Sequence, residues 1–551
     1  MPLRNANPEF FVPRGLIDGY DQTLSFKGAC QKLQNLVFDQ SNNGVVVPRP
    51  AVTTIVDFIV TGGWSSPTNV SVFTIIGTRV FGMIGTSRNA GKDEPFCYDT
   101  ATGSFVIISG VTNANTPTTP AITGKWNPPT MAMISTKIIV THPGFPGTVG
   151  AFFGVIDLAN PAAPAWSSAN TSGNLLATVP IAVANYNNRA WYAVGNVMVF
   201  SDILVPATVT NASQALTIDD TAPIIGLGPL PIGTGTQGII AALIVFKGAG
   251  TSIWQITGDS ATNNLSLQQL SSNNGCSAPR TIVATPEGIK FLGVDGAYYV
   301  NLLGQVLPVS NRPGEQTIDL QDPFINATEA QLSRASGAWN QGVYRASLET
   351  TWRGQPYAGA SALDFWFDEH SRRWNGPHTF PYSCAFPLFD YFVLSSTVNQ
   401  AKLFKSEPTP HNSSSYSDAV TGSYSCDMLT SLMPNRGDMA MNTIQECEME
   451  LGKSAVSSQY TISAQDEFGN QLNAATITLT NSGPQWGAVV WNAFQWASSK
   501  YVSQMIPIPW TSPVIFKRLA IEVVSTANAG VAIGQFGMRY QRLGFMNARV
   551  A

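Results

Sequence analysis

The chain is a succession of short apolar runs, four to eight residues long, separated by Gly, Pro, Asn and Asp. Val72–Ile76, Arg79–Ile84, Phe105–Ser109, Ile138–Thr141, Ala190–Val194, Val197–Ser201, Ile253–Thr257, Ile289–Leu292 and Ala297–Leu302 read this way. β-Branched and aromatic residues fill them, as they fill buried or half-buried strands. The best apolar run, Gly238–Phe246, has the length of a buried strand and falls far short of the ~18 residues of a membrane span. Helical periodicity is scarce. It predicts one short helix over Thr328–Ala335 and another over residues 30–38. The expected fold class is all-β.

Two units recur along the chain. In the first, an apolar strand ends in Asp, a short polar turn follows, and an aromatic opens the return strand. Phe96-Cys97-Tyr98-Asp99 leads to Phe105, Gly154-Val155-Ile156-Asp157 to Trp166, and Phe365-Trp366-Phe367-Asp368 to Trp374. An Asp at that place can accept hydrogen bonds from the turn N–H groups. The second unit is a hairpin bent at Gly, as in Trp191–Ser201 and in Lys290–Val300, where Asp295-Gly296 is a favoured turn pair. Recurrence over roughly 40–60 residues predicts a β-propeller of four-stranded blades, six in number by preference over five or seven. Separate β-sandwiches are the alternative. The expected division is an extended N-terminal segment at 1–50, a propeller at 51–410, a linker or long loop at 411–425, and a β-rich sandwich or meander at 426–551. Within the last, Thr443–Leu451, Ser458–Ala464, Thr476–Leu479, Arg518–Ser525 and Gln535–Leu543 alternate as strands, with Phe468-Gly469-Asn470 in a turn.

Composition narrows the function classes. Of 551 residues, 44% are hydrophobic, enough for a large core, and only 12% are charged. The usual charged share is about a quarter. The net charge of −4 does not suit a protein that grips nucleic acid through its phosphates. Ser, Thr, Asn and Gln carry the polar surface instead. Six cysteines stand far apart with no CxxC spacing, which predicts isolated buried thiols in a chain made in a reducing cytoplasm. The polar, Pro-containing start Met1–Phe10 does not read as a signal peptide.

Candidate chemistry is sparse. The four histidines are His142, His370, His378 and His411. His370 and His378 share a segment with Asp368, Glu369 and Arg372, but seven intervening residues on a strand–turn–strand match no metal-ligand spacing, and a solvated turn is expected. Asp99, Asp157 and Asp368 fall in equivalent turns, which argues for structure over catalysis. Glycosidases need carboxylates paired across a cleft, whereas Asp368 and Glu369 are adjacent and diverge on a strand. The glycine run Pro231–Gly238 lacks the Lys-Ser/Thr of a phosphate-binding loop and is expected as a loop between strands. Arg14, Lys27, Lys32 and Arg49 make the N-terminal segment locally basic, facing either acidic neighbours in an assembly or solvent. Trp486, Trp491, Phe494, Trp496, Tyr501 and Trp510 cluster among prolines as a small core or a contact patch. No catalytic, cofactor-binding or metal-ligating residue is expected, and no enzymatic activity.

Several stretches together resemble a known family. They are Pro13–Gly19, Ala29–Asp39 and Gly44–Pro50; Leu243–Lys247 with Ser252–Gly258; Gly275–Ala284 running into Glu287–Leu292 and Asp295–Tyr298; and Lys517–Val523 with Gly537–Tyr540. The sequence resembles the tail nozzle (tail tubular, packaged-DNA stabilisation) proteins of short-tailed bacteriophages. The likeness covers most of the chain, through diffuse structural motifs. It implies a homohexameric ring that extends the portal–adaptor DNA channel, retains the packaged genome and guides its ejection. Implied partners are adaptor or head-to-tail connector proteins, tail fibres or a tail needle, and double-stranded DNA passing without sequence-specific binding. The implied location is the virion tail, after synthesis in the host bacterial cytoplasm. A propeller adhesin or glycan-binding module, or a carbohydrate-active hydrolase, is the alternative reading.

Overall fold

A computed structural model of the chain describes residues 9–17, 28–39, 44–63, 68–85, 93–112, 114–117, 129–147, 152–169, 178–218, 221–233, 239–259, 264–310, 319–350, 363–380, 384–395, 402–408, 416–419, 422–433, 440–453, 457–479, 502–528 and 531–544. The fold is all-β, and six separate four-stranded sheets are arranged as blades of a β-propeller, with one more meander, part of a larger sheet, set between two of them. Each of the first five blades is one continuous antiparallel meander. Their first strands are Thr68–Ile76, Thr130–Ile134, Ala182–Tyr186, Ile224–Gly233 and Val283–Thr285. These first strands pack against one another in succession and line the centre. Apolar residues of adjoining blades form the cores between them; Phe81, Cys97, Ile138, Ile156 and Trp166, for example, belong to one cluster.

The sixth blade is closed by a distant strand. Cys384–Leu388, Tyr391–Ser395 and Lys402–Ser406 take Thr53–Asp57, from near the start of the chain, as their outermost strand. Propeller opening therefore requires peeling an antiparallel ladder. A further four-stranded meander stands in the ring between the fifth and sixth blades: Ser336–Asn340, Val343–Leu348, Leu363–Asp368 and Arg373–His378. Its first strand packs on Val283–Thr285 on one side and Cys384–Leu388 on the other. This blade is shared. Its outer strand continues through Cys30–Gln34, Ser425–Thr430, Leu519–Thr526, Ser458–Asp466 and Gln471–Leu479 into a nine-stranded sheet.

A seven-stranded sheet completes the second body. Its main order is Leu36–Phe38, Val46–Pro48, Ile533–Gly544, Met441–Lys453 and Val502–Pro507, with Glu9–Phe11 and Ile515–Phe516 added at the sides. Both sheets contribute to one large core containing Leu33, Met428, Ile462 and Val523 from the first and Phe11, Val46, Met449 and Phe536 from the second. All five strands anticipated after residue 426 are present.

Three expectations change. Residues 30–38 form strands Cys30–Gln34 and Leu36–Phe38, not a helix, because Asn35 turns the chain with φ of 55° and each half then pairs in a different sheet. The N-terminal segment is extended, but it is built into both sheets of the second body and is not a separate piece. Within 411–425, the described residues 416–419 and 422–425 are structured: Ser417–Asp418 pairs with Gly422–Ser423, and Asp418 is buried in an ion pair with Arg49. The predicted helix at 328–335 is present as Glu329–Arg334, closed by a reciprocal capping box between Thr328 and Gln331.

Candidate functional site

The turn aspartates act as local braces. The carboxylate of Asp99 accepts the Ala101 N–H at 3.0 Å, that of Asp157 the Ala159 N–H at 2.9 Å, and that of Asp368 the His370 N–H at 2.9 Å. Each closes the turn between the third and fourth strands of its blade. Asn301 does the same in the fifth blade, accepting from Leu303 at 2.9 Å, a position that a search for Asp alone passes over. The following aromatics pack inward. Trp166 and Trp374 are buried, and Phe105 lies against Tyr98. Gly154 faces Trp166 so closely that a Cβ there would stand 1.9 Å from the indole ring.

Of the segment around His370 and His378, residues 369–372 form the expected turn with His370 exposed, but its charges are paired and His378 is buried. Glu369 takes Lys290 and the Trp339 indole N–H, and Arg372 takes Glu287. The pairs with Lys290 and Glu287 tie the shared blade to the fifth, and the Trp339 bond lies within the shared blade. His378 is fully buried, stacked edge-on against Trp366 at 4.6 Å between ring centres. Burial, then the charges of Arg49 and Arg345, hold its imidazole well below its ordinary pKa. His142 is likewise buried. Gly144 N–H donates to its Nδ1 at 2.9 Å, so the neutral ring carries its proton on Nε2, 4.0 Å from the Asp93 carboxylate. Burial, helped by Arg280, lowers its pKa to about 3.

A cluster of buried polar groups lies where the N-terminal segment, the shared blade and the hairpin from Asp418 to Tyr424 meet. Arg49 is 1% exposed. It grips Asp418 through two N–H groups at 3.0 and 2.5 Å, donates to Pro50 O and Asn35 Oδ1 at 3.0 Å, and lies 4.2 Å from the centre of the Tyr424 ring. Burial works against the charge on Arg49, but Asp418 and Tyr424 outweigh it and hold the guanidinium above its ordinary pKa. Asn35 bridges outward, donating to Ser425 O at 2.8 Å and accepting the Thr379 N–H at 3.0 Å. On the blade side, Arg345 pairs with Asp364, which also accepts the Trp366 indole N–H.

Two of the four basic residues singled out in the N-terminal segment thus have acidic partners inside the chain. Arg49 meets Asp418, and Lys32 meets Asp427. Burial, partly offset by Lys32 and reinforced by Glu522, pushes the Asp427 carboxyl up to about 6. Lys27 lies outside the described residues, as do His411 and the aromatics from Trp486 to Tyr501. Trp510 packs half-buried against the main core. Of the glycine run, Pro231–Gly233 belongs to a strand, where a loop was expected, and 234–238 lie outside the described residues. All six cysteines are buried, and none is in a disulfide. Among the described residues, no three His, Cys, Asp or Glu side chains come together as a metal-holding group, and no helix is long and apolar enough to cross a membrane. The junction is equipped to hold chain segments together. Its carboxylates are occupied by guanidinium and amide donors.

No family model matches the chain, and no curated protein does. Among solved structures, the chain is similar to a puromycin-hydrolysing peptidase of Mycobacterium tuberculosis, with 11% identity, a TM-score of 0.38, and 60% of this chain and 51% of that one covered. It is also similar to BBS1N in complex with ARL6DN, with 10% identity, a TM-score of 0.23, and 47% and 73% covered. The match thus spans about half the length of the peptidase structure. At these scores neither likeness bears on function.

Proposed function

We propose that the chain is a structural virion protein, the subunit of a hexameric tail nozzle that continues the DNA channel of a short-tailed phage, and that it is not an enzyme. The observation that carries this reading is the internal use of charge. Arg49, Lys32, Lys290, Arg345 and Arg372 all pair with carboxylates of the same chain. In a chain only 12% charged, each such pair lowers the number of cations left to meet phosphates. A wall along which DNA slides must not collect phosphates, because each neutralised phosphate adds adhesion. Six copies at −4 each carry about −24, so the ring has no bulk attraction for DNA. A propeller closed by a strand from the start of the chain also suits a part that must stay shut under a packed genome. The sequence resemblance supplies the rest: adaptor or connector proteins above, fibres or a needle attached, and a place in the virion tail.

Electron microscopy of the purified protein, alone and with adaptor rings, tests the proposal. The expected result is a sixfold ring that leaves duplex DNA unshifted at low salt. A protein that stays monomeric or forms trimeric spikes in the presence of adaptor, or a ring that binds DNA tightly, overturns it.

A further inference from the structure

The junction contains a device that the nozzle reading does not require. The N-terminal strap, described at residues 30–39 and 44–49, meets the shared blade along a seam with few backbone bonds and one apolar cluster, in which Val37, Val45 and Val47 pack with Val343 and Trp366. Among the described residues, only Leu33 and Gly376 are register partners across it, supported by the Asn35 N–H to Pro377 O bond at 3.3 Å and the Asn35–Thr379 side-chain bonds. His378 stands in the middle of this seam. The elements packed around it present charges and a ring: Arg345 from one strand, Asp364 and Trp366 from the next, and Arg49 with its partner Asp418 from the strap side. The two carboxylates are already engaged by the two arginines. Among the described residues, no group hydrogen-bonds either nitrogen of His378. A proton placed there would add a third cation between two guanidiniums with no acceptor to receive it, a costly arrangement in a buried site.

We propose that proton uptake at His378 releases the N-terminal strap from the shared blade while the separate blades stay closed. The sign follows from linkage. In the closed state the imidazole is held neutral, below its ordinary pKa of 6.5. Once the strap lifts, the ring is hydrated and regains that value, so the open state binds one more proton. The closed state is therefore fully favoured above pH 6.5 and loses ground as pH falls below it. Asp427, beneath the strap residue Lys32, works the other way. It is raised to about 6 when covered and releases a proton on exposure, which blunts the effect below pH 6.

Hydrogen exchange at Asn35, whose N–H donates to Pro377 O across the seam, corrected for its intrinsic rate, reads the opening directly. In the Asp427→Asn background, opening should rise roughly tenfold per pH unit between 6.5 and 5. Adding His378→Gln or His378→Phe should flatten that slope, while His142→Phe, in the second blade, should leave it. The two neutral replacements guard against one of them failing to fold. An unchanged slope without His378, or a pH-independent opening with it, overturns the proposal. This result is independent of ring formation or DNA passage.

Discussion

The first five blades and the shared blade are made of the same four-stranded meander, yet they are assembled differently. Each of the five is folded from one continuous stretch of a few tens of residues, and in the first, second and fifth the turn between the third and fourth strands is braced by the blade's own Asp or Asn. The shared blade continues into strands from opposite ends of the chain. Leu33 pairs with Gly376, and Lys32 reaches Asp427 across 395 positions. Local meanders close small loops, whereas the shared sheet must close very large ones before its contacts form. The separate blades can therefore lose a contact and remain blades. The shared sheet holds the two bodies together and is where a single loss spreads.

The sharpest way to break this distinction is to remove Arg49. Its deletion leaves the Asp418 carboxylate, 0% exposed, without its cation, and also strips the Asn35 bridge of a donor. Removing one member of a buried ion pair typically costs about 3–5 kcal/mol. Arg49→Ala should lower stability by that order in denaturant titrations, with the strap and the nine-stranded sheet unfolding before the blades. Uniform loss across all blades would show that the two regions are not separable in this way.

That contrast also explains what could be read from the sequence. The Asp–turn–aromatic units at Asp99, Asp157 and Asp368 were legible because the bond that makes them spans two residues. The strands after 426 were legible from alternation. Residues 30–38 carry a misleading helical signal, because Leu33, Leu36 and Val37 fall at helical spacing; the kink at Asn35 and the irregular register at Cys30–Lys32 that make two strands of them are imposed by distant partners. Arg49 reads from sequence as a solvated or assembly-facing charge for the same reason, since Asp418 lies 369 positions away. The burial of His378 was hidden likewise, because its surroundings come from both ends of the chain.

A second test sits inside one separate blade. Gly154→Ala places a methyl group 1.9 Å from the Trp166 ring, so the indole or the strand must shift. Overpacking of this kind costs about 1–3 kcal/mol. The loss should be confined to the second blade and its neighbours, seen as faster hydrogen exchange at 130–169 with the strap at 30–38 unchanged.

The smallest expected effect comes from the turn braces themselves. Asp157→Ala removes the acceptor of the Ala159 N–H in an exposed turn where water can replace it. The cost should be about 0.5–1 kcal/mol, the net value of one such hydrogen bond. Asp368→Ala removes the equivalent bond to His370, and with it the Ser371 hydroxyl bond at 2.7 Å, in the turn that also carries Glu369 and Arg372. If blade position governs the outcome, the two substitutions should differ. Asp157→Ala should be felt only in its own turn. Asp368→Ala should also loosen the Lys290–Glu369 and Glu287–Arg372 pairs that tie the shared blade to the fifth. Equal and purely local effects in denaturation and hydrogen exchange would mean that the shared blade gains its reach only from the N-terminal strap, and not from its place in the ring.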